Sequence, residues 1–202
     1  MATNLCEKLI SGCISASCDN PIYDGMEQYA YIFNKSEIAS FTYDATNSNI
    51  ITAINMKTDD NDTAYTGYQI LNLGKTPYTG TQTEMAEGNT ANTFTETFQF
   101  LVPDNSPTAS MLLDSLANGK YVIVAENSYE GSDSKGKFQV YGAKKGLVAS
   151  SMTRSAYDDE NDSAWVCTFT SEKVPNAALF LYHETDSTED TASYIESLTS
   201  CE

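Results

Sequence analysis

Histidine and cysteine are the residues of this chain best suited to catalysis or metal binding, and histidine is sparse. The only histidine among 202 residues is His183, and no serine or cysteine signature exists to pair with it as a nucleophile. The sequence also contains no G-x-G-x-x-G turn, no phosphate-binding G-x-x-x-x-G-K-[ST] loop and no H-E-x-x-H zinc motif. We therefore predict no catalytic residue and no cofactor, and we expect that the protein is not an enzyme.

The five cysteines form neither a metal-binding pattern nor a closed set of disulfides. Cys6, Cys13 and Cys18 include no C-x-x-C pair, and the histidine lies far along the chain. An odd number of cysteines suits free thiols in a reducing compartment. Cys167 alternates with aromatic residues in a predicted strand, so we expect it to be a core thiol. No metal site is predicted.

Acidic residues dominate the charge, with 28 Asp and Glu against 11 Lys and Arg and a formal net charge of -17. Tight nucleic-acid binding needs a basic surface, so this balance disfavours it. An acidic surface instead lets DNA pass without adhering. The acidic run at residues 59–62 lacks the glycine and closing glutamate of a calcium loop, so we interpret it as a solvated turn.

Four tyrosines are candidates for a binding surface: Tyr29, Tyr31, Tyr65 and Tyr68. Exposed aromatic rings are able to line a sugar-binding face, but strands and protein interfaces favour tyrosine as well. We regard the interface as the stronger interpretation, and the glycan-binding face remains the alternative.

Alternating apolar residues predict a mainly β chain. The first three strands are expected at residues 29–34, 38–43 and 50–56, joined by polar turns into an antiparallel meander. Within the strand expected at residues 120–126, residues 121–125 are apolar on both faces, which predicts a central strand covered on both sides. Further strands are expected at residues 63–73, 93–102, 137–142, 165–169 and 179–182.

One packed α-helix is expected at about residues 107–118. Ser106 is a good N-cap, Pro107 suits the first helical position and Gly119 follows the last turn. The apolar periodicity predicts the docking residues Met111, Leu112 and Leu116.

Glu96 interrupts the apolar face of the strand predicted at residues 93–102. A carboxylate at such a position must reach solvent or a partner. We expect Glu96 to lie near the solvated end of the strand, and pairing across an interface is the alternative.

The length and the lack of a linker rich in Gly, Ser or Pro predict one domain. We divide the chain into an N-terminal arm (1–28), a β-sandwich domain (29–183) with a long loop (74–92), and an acidic C-terminal tail (184–202). The tail is predicted to be mobile, with a short helical patch through Tyr194, Ile195 and Leu198 as the alternative. No segment has the roughly 20 apolar residues of a membrane helix, and the arm contains no convincing export signal.

Five segments together resemble a known family. They are Y-I-F-N-K-S-E-I-A-S (31–40), F-T-E-T-F-Q-F (94–100), G-K-Y-V-I-V-A-E-N (119–127), K-F-Q-V-Y-G-A-K-K-G-L-V (137–148) and A-W-V-C-T-F-T-S-E (164–172). Their order, with a helix after the second, is similar to that of phage structural proteins with the tail-tube fold, particularly from phages of Bacteroides-like gut bacteria. The resemblance spans roughly residues 25–182.

The resemblance implies a structural virion protein with an antiparallel β-sandwich or barrel and one flanking helix. Protomers of this family join edge to edge into a ring, usually of six copies, and DNA passes through the lumen without specific binding. The expected partners are other copies of the chain and other tail or portal-proximal proteins, with assembly in the host cytoplasm. A stacked tail tube and a single head-to-tail ring remain equally open. The alternative from the residues themselves is a surface-exposed glycan-binding or adhesive β-sandwich, such as a capsid decoration protein.

Overall fold

A computed structural model describes residues 25–73, 77–88, 91–131, 135–158, 161, 163–183 and 190–200. Within these residues the chain forms eleven strands and two α-helices. The strands are β1 (Met26–Asn34), β2 (Ile38–Tyr43), β3 (Ile50–Met56), β4 (Tyr68–Leu71), β5 (Gln82–Ala86), β6 (Thr93–Val102), β7 (Tyr121–Asn127), β8 (Phe138–Tyr141), β9 (Val148–Thr153), β10 (Trp165–Val174) and β11 (Leu179–Leu181). The helices are α1 (Pro107–Asn118) and α2 (Thr191–Ser197), and a 3₁₀ turn at Lys35–Glu37 joins β1 to β2.

The strands are arranged in two sheets. A seven-stranded sheet has the order β2-β3-β11-β8-β7-β1-β4, and a four-stranded sheet has the order β5-β6-β10-β9. All neighbours are antiparallel except β3 and β11, which are parallel. The predicted mainly β sandwich is confirmed, although the described residues hold two helices and the sequence predicted one. The predicted meander is confirmed for β2 and β3, which pair antiparallel. It is wrong for β1 and β2, because β4 and β7 occupy both edges of β1 and leave none for β2.

The two sheets enclose an apolar layer, which we call the inter-sheet core. Its fully buried rings include Phe98 and Phe169, and Phe169 stacks on Phe100 with ring centroids 5.5 Å apart. The edge of Tyr121 meets Phe169 at a centroid distance of 5.7 Å. Burying each such side chain contributes roughly 1.5–3 kcal/mol, so this layer is a major source of the stability of the fold.

The other face of the seven-stranded sheet carries a second apolar layer, which we call the outer core. Strand β7 serves both layers: Ile123 and Ala125 belong to the inter-sheet core, whereas Val122 and Val124 belong to the outer core. All four side chains are fully buried. The prediction of a central strand covered on both faces is thus confirmed.

Helix α1 has the predicted bounds but a different docking face. The side chain of Ser106 caps it by accepting a hydrogen bond from Ala109 N at 3.2 Å. Met111 is 72% exposed and Leu112 is 50% exposed, so the prediction that they dock is wrong. The helix carries two adjoining apolar stripes that share Leu116, which is buried as predicted. The packing buries the stripe through Ala109 and Leu113 and not the one through Met111 and Leu112. The buried residues are Ala109, Leu113 and Leu116.

Helix α2 replaces the predicted mobile tail over residues 190–200, and the helical alternative is confirmed. Asp190 caps the helix by accepting a hydrogen bond from Ser193 N at 2.7 Å. Ile195 is fully buried in the outer core. The burial of apolar residues therefore stabilises this helix despite the negative charge of the tail. Residues 184–189 and 201–202 lie outside the described residues.

Two other predicted boundaries differ from the structure. Strand β1 begins at Met26, so residues 26–28 belong to the sheet and not to the predicted arm, whose residues 1–24 lie outside the described residues. The predicted long loop at 74–92 contains strand β5, which pairs with β6. A weakly apolar segment becomes a strand here because a neighbouring strand supplies its hydrogen bonds. Residues 74–76 and 89–90 lie outside the described residues.

Candidate functional site

Within the described part of the chain, no group of three or more His, Cys, Asp or Glu residues could hold a metal ion. The Asp59 carboxylate accepts hydrogen bonds from the backbone N–H groups of Thr63 and Asn61, and these bonds lower its pKa. The prediction of a solvated turn is confirmed. Cys6, Cys13 and Cys18 lie outside the described residues.

His183 holds α2 against the edge of β3. Its Nδ1 lies 2.7 Å from the carbonyl oxygen of Thr52, and because a carbonyl only accepts, Nδ1 carries the proton. The imidazole stacks on Tyr194 with ring centroids 3.7 Å apart. The Tyr194 hydroxyl in turn accepts a hydrogen bond from Ile54 N at 2.9 Å and donates one to Ile54 O at 3.1 Å. Both side chains thus form hydrogen bonds to the main chain of β3, beyond the residues of β3 that pair with β11.

Cys167 is a buried thiol of the inter-sheet core, as predicted. Burial raises its pKa to about 11. The thiolate is the reactive form of cysteine, so this side chain is unsuited to nucleophilic chemistry.

Glu96 carries a carboxylate that is buried between the two sheets. The prediction that it lies near solvent is wrong. It is 2% exposed, and its Oε2 accepts a hydrogen bond from Gly142 N at 2.8 Å. Burial raises its pKa, while the bond from Gly142 acts in the opposite direction. Ser171 lies opposite Glu96 in the β6–β10 ladder, and its buried Oγ has no hydrogen-bond partner in the described structure. Sequence reasoning missed this contact because the partner is a turn 46 residues away.

The four candidate tyrosines do not form one aromatic platform. Tyr29, Tyr65 and Tyr68 are exposed, but Tyr31 is buried in the outer core. The β1–β4 register pairs Tyr29 with Leu71 and Ile32 with Tyr68. Since residues 68 and 71 differ by three positions, Tyr29 and Tyr68 lie on opposite faces of the sheet.

The outward face of the four-stranded sheet is lined mainly by hydroxyl and amide side chains, and we call it the hydroxyl face. Alternation along the strands places them opposite the buried aromatic residues. The only basic residue in the four strands is Lys173, at the irregular end of β10. The polar side chains of the hydroxyl face are those of Gln82, Thr93, Thr95, Thr97, Gln99, Ser151, Thr153, Thr168 and Thr170, together with the carboxylate of Glu84. The same face also carries the apolar side chains of Ala86, Leu101, Val148 and Val166.

An apolar groove of about 640 Å³ opens beside α1, between β4, the last residues of β6 and the helix. Its walls contain Leu112 and Leu116 from α1 and Tyr68 from β4. No residue that lines it carries a formal charge, although the chain as a whole carries -17. The remaining lining residues are Ile32, Asn34, Gln69, Ile70, Phe100, Leu101, Val102, Pro103, Ser115 and Tyr121.

Comparisons with protein-family models, with curated proteins and with solved structures found no match for this chain. None of the described helices is long and apolar enough to cross a membrane. The candidate functional features are the hydroxyl face, the edge strands β5 and β9 of the four-stranded sheet, and the groove.

Proposed function

We propose that the protein is a structural virion component and that copies of it form a ring in a phage tail. The expected ring is a hexamer. The ring is either a layer of the tail tube or a single head-to-tail ring, and its lumen conducts DNA. The protein has no catalytic role and uses no cofactor. Other tail or portal-proximal proteins adjoin the ring, which assembles in the host cytoplasm.

The observation that carries this proposal is the chemistry of the hydroxyl face. A DNA conduit must present a polar surface without the basic side chains that hold phosphates. The hydroxyl face presents threonine, serine and glutamine side chains together with the carboxylate of Glu84. Lys173 is the only basic residue in its four strands. Hydroxyl groups bind water along such a wall, and the overall charge of -17 repels the DNA backbone.

The edge strands of the four-stranded sheet, β5 and β9, support assembly. Edge strand β9 contains no proline and no charged residue, two of the features by which monomeric proteins protect such edges. Helix α1 packs against this strand. Repeated pairing of one edge with a different edge of the next copy is a heterologous contact, which closes into a ring when the rotation permits.

Light scattering and negative-stain microscopy of the purified protein test the proposal. We expect rings or tubes, and association that strengthens with salt as the -17 charge is screened. A chain that stays monomeric at every salt and protein concentration would argue against a self-assembled ring.

A charge added to the hydroxyl face tests the lumen itself. Thr97→Lys is expected to leave ring formation intact and to make the rings retain double-stranded DNA in low salt. The matched control is Thr42→Lys, which adds the same charge on exposed β2 of the other sheet. Equal DNA retention by both variants would show that the hydroxyl face does not line the lumen.

The alternative is a surface-exposed glycan-binding or adhesive protein, such as a capsid decoration protein. The exposure of Tyr29, Tyr65 and Tyr68 favours it. The placement of Tyr29 and Tyr68 on opposite faces weakens it, because a sugar ring stacks on one continuous surface. Specific retention of the monomer on a glycan array would favour this alternative.

A further inference from the structure

We propose that copies of this chain bind one another through two oppositely charged ends of the seven-stranded sheet, so that one ring stacks on the next. The inference rests on the proposed self-association and names the surfaces that carry the stacking. The basic end comprises Lys35, Lys120, Lys144 and Lys145, and the acidic end comprises Glu27, Glu126, Glu130 and Asp190.

The four lysines of the basic end converge on the turn between β8 and β9. Lys144 and Lys145 belong to this turn. A Cβ atom placed on Gly146 would lie 3.2 Å from Cβ of Lys120 and 3.5 Å from Cγ of Lys35. The turn therefore brings together four side chains that carry ammonium groups, from three parts of the chain.

The charges of the basic end form no ion pair within the described residues, where the salt bridges are those of Lys137. The Nζ atoms of Lys35 and Lys144 instead lie over aromatic rings, 4.6 Å from the centroid of Phe41 and 4.4 Å from that of Tyr43. Burial and the nearby charge of Lys144 both lower the pKa of Lys35. The repulsion between these two lysines thus leaves room for an acidic partner.

The acids beside the basic end do not neutralise it. The carboxylate of Glu37 accepts a hydrogen bond from Asn34 Nδ2 at 3.0 Å. Glu172 accepts a hydrogen bond from Lys145 at 3.1 Å through its main-chain oxygen and not through its carboxylate. Four lysines against these two acids leave a positive surface on a chain of charge -17.

The acidic end lies where β7 ends and β8 begins. Nζ of Lys137 lies 3.0 Å from Glu126 Oε1 and 3.9 Å from Glu130 Oε1, and the charge of Glu27 also raises the pKa of this lysine. The capping hydrogen bonds and, more weakly, the charge of Lys137 lower the pKa of Asp190. Four carboxylates therefore surround one ammonium group.

Lys135 belongs to the same hairpin, and its Nζ lies 5.1 Å from the centroid of the Tyr182 ring. With this lysine counted as well, the acidic end holds four carboxylates against two ammonium groups. It remains negative.

The two ends lie at opposite ends of the same strands. Lys120 directly precedes β7 and Glu126 is its next-to-last residue, which separates them by about 20 Å, since each residue of a strand spans about 3.3 Å. Strand β8 runs back from Lys137 to the turn that carries Lys144. Copies joined end to end therefore follow one another along the strand direction, in a heterologous contact that stacks and does not close on itself.

Local charge selects a second copy as the partner although each copy carries -17. Exposed charges farther apart than the Debye length, about 8 Å at physiological ionic strength, are largely screened. Within that distance the two ends present unlike charges, which attract and fix the register of a contact. Each end supplies the charges that the other lacks.

Sedimentation velocity and negative-stain microscopy of a charge-reversal variant test the inference. Lys144→Glu is expected to weaken stacking about tenfold or more at physiological ionic strength, because like charges then face each other. Arg154→Glu is the control, since it changes the net charge equally but follows the other end of β9. Thermal unfolding verifies that both variants are folded. Wild-type stacking by Lys144→Glu, or an equal loss in Arg154→Glu, would overturn the contact.

The opposite reversal gives the sharpest outcome. Glu130→Lys should also weaken stacking, with Glu87→Lys, an exposed acid after β5, as its control. An equal mixture of Lys144→Glu and Glu130→Lys should stack again, because every contact between unlike variants then joins opposite charges. A mixture that does not stack, or wild-type rings that never stack, would overturn this contact and leave the proposed ring intact. A wild-type chain that remains monomeric would overturn both.

Discussion

The two α-helices pack in different apolar layers: α1 contributes Leu113 and Leu116 to the inter-sheet core and contacts β9, whereas α2 contributes Ile195 to the outer core. Helix α1 has strong local signals in Ser106 and Pro107, and its bounds follow from them. Helix α2 lies in an acidic segment without a single base from residue 184 to the end of the sequence. Nevertheless Ile195 of α2 is fully buried, whereas Met111 and Leu112 of α1 are exposed. Local signals define where a helix begins and ends, and only the surface beneath it decides which side chains are buried.

The largest expected effect is the loss of the anchor of α2. Ile195→Ala should lower the free energy of unfolding by about 2–5 kcal/mol, because it leaves a cavity in the outer core. Urea unfolding measures the difference. Glu196→Ala, on the exposed side of the same helix, is the control. Equal effects of the two substitutions would show that α2 is not docked.

A neighbouring pair on α1 tests which stripe is docked. Leu113→Ala should cost about 2–5 kcal/mol, whereas Leu112→Ala should cost about 1 kcal/mol or less in the monomer, because its side chain is half exposed. Unfolding midpoints measured at low protein concentration compare the two. The reverse order would restore the docking face predicted from the sequence.

Removing one hydroxyl group should loosen α2 by a smaller amount. Tyr194→Phe deletes the hydrogen bonds to Ile54 N and Ile54 O, which should cost about 1–3 kcal/mol. Hydrogen exchange at the Ile54 amide should also become faster. Tyr157→Phe is the control, since Tyr157 is almost fully exposed. Unchanged exchange in Tyr194→Phe would mean that the hydroxyl does not protect this amide.

The smallest effect is expected at Glu96, and it depends on pH. Burial raises the pKa of Glu96 in the folded state, so its contribution to stability is complete below its unfolded pKa of about 4.3 and is lost as the pH rises through the folded value. Glu96→Gln retains an acceptor for Gly142 N–H and avoids the buried charge. The variant should therefore be more stable than the wild type near neutral pH.

The difference in the free energy of unfolding between Glu96→Gln and the wild type should become smaller as the pH is lowered. Urea unfolding at a series of pH values measures it, with Glu84→Gln on exposed β5 as the control. A gap that stays constant with pH would mean that Glu96 does not titrate between the folded and unfolded states in this way.

Much of the strand pattern was predictable because alternation is a local property. The bounds of β2, β3, β6 and α1 agree with the prediction, and so does the double burial of β7. Strand pairing was not predictable in the same way, because it joins segments far apart in the chain. Strand β1 pairs with β7, about 90 residues later, and β2 pairs only with β3. Among the candidate functional residues, Cys167 was placed correctly, whereas Glu96 and Tyr31 were not.

The sequence by itself determined the mainly β character, the bounds of α1, the strong negative charge and the scarcity of histidine. These properties depend on residue types and on spacings of a few positions. The tertiary structure decided that Glu96 is buried against Gly142, that Ile195 seals the outer core and that Leu112 borders an uncharged groove. Each of these depends on elements far apart in the chain, and the burial of a side chain is a property of the surfaces that meet and not of its own segment.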